Sequence, residues 1–97
     1  MTAKAEFTSG IKGEVQSLAD LPNGIAATVV SIDEQKAGQG VARRLAEIGF
    51  LPGESIQVLA RVPGGDPMAV RIGSSTFALR RHEASCVRIH QDGILRK

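Results

Sequence analysis

Between Glu54 and Val62 the chain alternates, with Ile56, Val58, Ala60 and Val62 on one side and Ser55, Gln57, Leu59 and Arg61 on the other. That period of two predicts a half-buried strand. Met68, Val70 and Ile72 alternate with Ala69 and Arg71 in a second run. Phe77 with Leu79 marks a third, and Val87 with Ile89 a fourth, over Cys86 to His90. Ile25 to Ile32 is largely apolar on both sides and rich in β-branched residues, which predicts a central strand buried on both faces. One stretch has another period. Val41, Leu45 and Ile48 recur at i, i+4 and i+7, one face of a helix running from about Gln39 to Ile48. Arg43 and Glu47 lie opposite that face, four residues apart, placed to pair across solvent.

Turn residues punctuate these runs. Gly49 stands where the helix ends, in the conformation that glycine adopts without steric cost. Phe50-Leu51 then supplies an apolar contact, and Pro52-Gly53 turns the chain. Pro63-Gly64-Gly65-Asp66-Pro67 reads as the turn of a hairpin, and Gly73-Ser74-Ser75 as another. Ser17-Leu18-Ala19-Asp20 has the spacing of a capping box and predicts one helical turn, stopped by Pro22-Asn23-Gly24. Asp33 to Gly40 reads as a loop, and Arg80 to Ser85 as a single helical turn. The expected organisation is a flexible N-terminal extension over residues 1–16, one domain over 17–90 and a tail over 91–97. The domain is mainly β, with one or two short helices. About five short strands in a small chain predict a closed or nearly closed barrel, since an open sheet leaves exposed edges.

Composition sharpens this in three ways. A chain of 97 residues, 42% of them apolar, can bury one core; with three Phe and no Trp or Tyr that core is aliphatic. Twelve basic against ten acidic residues leave a formal charge of +2, too weak to mark a nucleic-acid binder, and no aromatics are interleaved for base stacking. The single cysteine, Cys86, forms no internal disulfide and fits a reducing compartment. No apolar run approaches the roughly 20 residues of a membrane span, and the first residues lack the apolar block of a signal peptide. A cytoplasmic location is expected.

Most site chemistry finds no counterpart. Neither phosphate-cradling glycine motif occurs, and Gly64-Gly65 sits between prolines with no helix behind it. Paired carboxylates in an apolar setting are not evident, so a non-enzymatic role is expected. Cys86 has His82 four residues before it and His90 four after. With Glu83 these make a loose metal-ligand set, open between a transition-metal corner and a half-buried thiol flanked by surface imidazoles. Eight of the twelve basic residues are Arg, and two pairs are adjacent, Arg43-Arg44 and Arg80-Arg81. Arginine suits specific paired contacts. With Glu47 and Asp66 they are candidates for a partner surface, the alternative being solvated ends of a helix and a turn.

Three segments in order, Arg44-Leu45-x-x-x-Gly49-Phe50-x-Pro52-Gly53, then Val62-Pro63-x-Gly65-Asp66-Pro67, then Leu79-Arg80-x-x-Glu83-Ala84, resemble the FeoA family from about Leu18 to His90. The resemblance implies an SH3-like β-barrel. It also implies a small cytoplasmic accessory of bacterial Fe(II) uptake, peripheral to the inner membrane through its partner, the FeoB transporter. No cofactor is required by this reading, though Fe(II) or adventitious Zn(II) remains an option, and a homodimer through uncapped edges or tails stays open. FeoA-like modules also form the C-terminal domain of metal-dependent repressors, which makes a regulatory module the alternative.

Overall fold

A computed structural model describes residues 15–91; the expected flexible extension up to residue 14 and the tail from 92 to 97 lie outside the described residues. The chain order is β1 (Val15–Ser17), a 3-10 turn (Leu18–Asp20), β2 (Ala26–Ile32), α1 (Glu34–Ala37), α2 (Gln39–Ile48), β3 (Ser55–Arg61), β4 (Met68–Ile72), β5 (Ser75–Leu79), α3 (Arg81–Ser85) and β6 (Val87–Gln91). All strand pairings are antiparallel, in one sheet of order β1-β6-β2-β3-β4-β5.

The sheet corrects the expected architecture in two respects. Among the described residues it has six strands rather than five, because Val15–Ser17 pairs with β6, Val15 opposite His90 and Ser17 opposite Arg88. It is also not closed into a barrel. β1 and β5 are its two ends, each paired on one side among the described residues. Helical residues finish the interior where the sheet does not. Leu18 and Leu21, in and just after the 3-10 turn, and Ala84 of α3 are fully buried in the same core as Val29, Val58, Val70 and Ile89. Aliphatic side chains dominate, with Phe50 the largest fully buried one.

The corner after α2 forms as its residues require. Gly49 has φ +127°, and it ends the helix in a Schellman pattern. The Gly49 N–H donates to the Ala46 carbonyl at 3.1 Å, and the Phe50 N–H to the Leu45 carbonyl at 3.0 Å. Phe50 and Leu45 are both fully buried, the apolar contact that accompanies such a stop. Gly53 and Glu54 then fasten the corner to the middle of β2. The Gly53 N–H donates to the Val29 carbonyl at 2.8 Å, and the Val29 N–H to the Glu54 carbonyl at 2.9 Å.

Four local expectations are revised. Residues 33–40 are not a plain loop: Asp33 accepts from the Lys36 N–H at 3.1 Å and caps α1. Ser17 and Asp20 hydrogen-bond each other at 3.1 Å instead of closing a capping box onto backbone, and the turn they flank is 3-10. β2 is buried on one face only, at Ala27 and Val29. In β3 the alternation holds for Ile56 and Val58 and then breaks. A bulge between Val58 and Ala60 adds one residue, so Ala60 and Val62 face outward rather than into the core. One extra residue reverses the parity of everything beyond it.

Candidate functional site

The densest polar constellation is at the start of α3. Arg80 precedes the helix in an extended conformation, and its N–H donates to Glu83 Oε1 at 2.9 Å. This is the carboxylate half of a capping box, and it satisfies one of the amides that a helix start leaves open. Glu83 Oε2 receives the guanidinium of Arg44 from the last turns of α2. Glu83 is therefore buried, at 7% exposure, with both oxygens engaged. Asp66, in the β3–β4 turn, accepts from the Arg81 N–H at 3.0 Å and so ties that turn to the same helix start.

Around these bonds lies an open hollow of about 350 Å³, lined by Arg44, Asp66, Pro67, Ala78, Leu79, Arg80 and Glu83. Its carboxylates are spent on protein partners. Its unspent groups are donors. Among the described residues the Arg80 guanidinium makes no hydrogen bond or ion pair, and Arg44, with a side chain 53% exposed, spends one nitrogen on Glu83. Pro67, Ala78 and Leu79 give the hollow an apolar wall. A second, wider hollow lies on the other side of Asp66, bounded by Asp20, Lys36, Arg81, His82 and Ser85. In the second, the Ser85 hydroxyl donates to the His82 backbone carbonyl at 2.6 Å.

The structure thus brings together Arg44, Asp66, Arg80, Arg81 and Glu83 from three separated segments. Arg44, a candidate for the partner surface, also bridges α2 to α3, and Glu83, a metal candidate, also caps α3 and pairs with Arg44. Arg43 and Glu47 stand exposed on α2, apart from the hollow.

The four metal candidates do not converge. Cys86 is fully buried, and its thiol donates to the His82 backbone carbonyl at 3.3 Å, while the His82 side chain is on the exposed face of α3. His90 lies along β6, opposite Val15 and Thr28, four positions beyond Cys86. Cys86 ends α3 as its C-cap, in a helical conformation, and from Val87 the chain extends along β6, which carries His90 away from the helix end. Among the described residues no group of three or more His, Cys, Asp or Glu is placed to hold a metal ion.

Sequence reasoning missed one cation. Arg61, expected on the outer face of β3, donates to the Ala19 and Leu21 carbonyls at 2.9 and 2.8 Å and to the side chain of Asn23. It clamps the 3-10 turn and the Pro22 turn onto the sheet. Nothing in a period-two pattern marks such a contact, because its acceptors, two carbonyls and a side-chain amide, lie some 40 residues away along the chain.

A family model described as FeoA domain matches residues 16–91. The Fe(2+) transport protein A/Fe(2+) transporter FeoB fusion protein of Porphyromonas gingivalis is 34% identical over 73 residues, covering 74% of this chain and 8% of its own. The chain therefore spans a small part of that relative. Among solved structures, FeoA of Stenotrophomonas maltophilia complexed with zinc, described as a procaryotic SH3 domain protein, superposes with a TM-score of 0.69. Its identity is 40%, over 76% of this chain and 88% of that one. The FeoA protein of Chlorobium tepidum gives 0.72 at 32% identity, over 80% and 71%. A manganese-dependent transcriptional repressor also gives 0.72, at 25% identity over 84% of this chain and 44% of its own.

Proposed function

Because this chain belongs to the FeoA family, we propose that it assists bacterial ferrous iron uptake by direct contact with the FeoB transporter, without catalysing a reaction itself. The observation that carries this reading is the Porphyromonas gingivalis relative, in which a matching segment is joined to FeoB in one polypeptide. Covalent fusion gives two modules a high effective concentration for each other. A module held beside FeoB in this way presents a surface to it. The surface we assign to that contact is the rim of the α3 hollow, namely Arg44, Asp66, Arg80 and Arg81, with Arg43 and Glu47 of α2 as flanking contacts. Loops and helix ends on a rigid sheet are where binding residues concentrate. In this reading the protein works on the cytoplasmic side and reaches the membrane through its partner; among the described residues no helix is long and apolar enough to cross it.

The test is co-purification of the tagged protein with detergent-solubilised FeoB. Retention is expected for the wild type, and a loss of about tenfold or more in affinity, about 1.4 kcal/mol, for Arg80→Glu/Arg81→Glu. A wild-type protein that FeoB never retains would sink the proposal. The likeness to the manganese-dependent repressor favours one second reading, a regulatory module. That reading requires co-purification with a DNA-binding subunit or retention of a specific promoter fragment in a mobility shift.

A further inference from the structure

We infer that the edge of β5 and the α3 hollow form one continuous docking track for an extended, acidic peptide segment of the partner. The inference rests on the contact proposed above and specifies its form. β5 is the last strand of the sheet and pairs only with β4 among the described residues. Ile72 pairs with Ser75 across the Gly73-Ser74 turn, which makes them the closing hydrogen-bonded pair of a two-residue hairpin. Hydrogen-bonded and non-hydrogen-bonded pairs alternate in an antiparallel ladder. Ser75, Phe77 and Leu79 therefore turn their backbone groups toward β4, and Thr76 and Ala78 turn theirs outward.

Edges of this kind are normally blunted by a charge or a proline. Ser75-Thr76-Phe77-Ala78-Leu79 has neither. It is a strand left able to accept another, as in recognition by strand addition.

What the added strand meets at its end defines its chemistry. Ala78 belongs both to the free edge and to the wall of the hollow, and the chain runs directly from Leu79 into Arg80. A peptide paired with Ala78 thus delivers its next side chain, or its own terminal carboxylate, to the space between Arg80 and Arg44. The α3 amides of Arg80 and Arg81 already bind Glu83 and Asp66, so they offer nothing further to an incoming group. Unspent capacity there belongs to the guanidinium groups, which match a carboxylate with paired, charge-assisted hydrogen bonds. Pro67 and Ala78, both exposed, receive an apolar neighbour beside it. Main-chain pairing supplies affinity without sequence preference, and the arginines supply selection for acid.

Short overlapping peptides tiling the soluble parts of FeoB, each with its Asp and Glu replaced by Asn and Gln as a control, provide the test. They are probed with the folded wild-type protein and two variants. Ala78→Pro deletes an outward N–H without removing a bond to β4; Arg80→Glu reverses the free charge. Circular dichroism and thermal melts establish that both variants fold. The expected result is retention of acidic peptides, with a tenfold or greater loss for the neutral controls and for each variant. Amide shifts on peptide addition should centre on Thr76–Ala78. Equal retention of acidic and neutral peptides overturns the inference, as does binding that neither variant affects. Absence of any bound peptide while intact FeoB is still retained also overturns it and leaves the transporter contact standing. Loss of FeoB retention by the wild type removes that contact itself. A wild-type dimer that Ala78→Pro dissolves, without peptide binding, assigns the edge to a second copy of this chain and likewise overturns it.

Discussion

Glu83 shows how much a single side chain can fasten. One oxygen closes the start of α3, the other holds Arg44, and the carboxylate is nearly excluded from solvent. Removing it leaves the Arg80 amide and the Arg44 guanidinium without their acceptor. Arg44 is half exposed and can turn to water, so the pair contributes at the low end for ion pairs. Glu83→Ala is expected to destabilise by about 2 kcal/mol, mainly through the lost cap and buried hydrogen bonds. Glu83→Gln, which keeps an acceptor for the amide, should cost about half of that in urea denaturation. Equal losses would mean that the cap is not the main term. Gly49 makes a different point. A Cβ there meets Ile72 Cγ2 at 3.7 Å, an ordinary contact, so space is available and only the positive φ excludes other residues. Gly49→Val should therefore lower stability by about 1 kcal/mol or more, seen as a melting temperature lower by roughly 4–8 °C for a domain of this size. Gly49→Asn should cost less, since Asn tolerates this region better. The need for glycine at 49 is legible from residues alone, because a helix stop is a local event.

At the scale of elements, local sequence gives α2 and the turns around it, but misses α1 as it misses β1. α2 spans Gln39–Ile48, as its periodicity predicts, because the apolar stripe that defines it is also the face it buries. β3 departs from its pattern at the Val58–Ala60 bulge, which depends on how β4 pairs with it rather than on β3 itself. Beyond that bulge, Arg61 leaves the expected solvent face to bind the 3-10 turn and the Pro22 turn. Arg61→Ala should unfasten those turns, with a loss of about 2 kcal/mol and faster amide exchange confined to residues 18–25. Arg61→Lys should rescue little, since a single ammonium cannot reproduce the planar fork that spans two carbonyls and an amide. Exchange that rises evenly over the whole sheet would contradict this local role.

For the whole molecule, function depends on which segments meet. His82, Glu83, Cys86 and His90 are neighbours in sequence, yet a helix end, a buried position and a strand separate their side chains. Zinc titration of the wild type, Cys86→Ala and His90→Ala should accordingly give the same curve; a stoichiometric site lost in Cys86→Ala would refute this placement. Arg44, Asp66 and Arg80 are distant in sequence and meet at one hollow. The residues by themselves determine the family motif, the α2 stop at Gly49, the turns at Gly53, Gly64 and Gly65, the aliphatic core and the mainly β character. Each of these follows from steric preference or from a period of two or 3.6, both local properties of the chain. Only the tertiary structure decides that β1 adds a sixth strand among the described residues, that β5 pairs only with β4 among them, and that Glu83 caps α3 and pairs with Arg44. It also decides which arginines are spent and which remain free. Those outcomes rest on hydrogen bonds and ion pairs between segments far apart in the chain, such as Arg44 with Glu83 and Asp66 with Arg81, and no local pattern encodes which partner a charged side chain will meet.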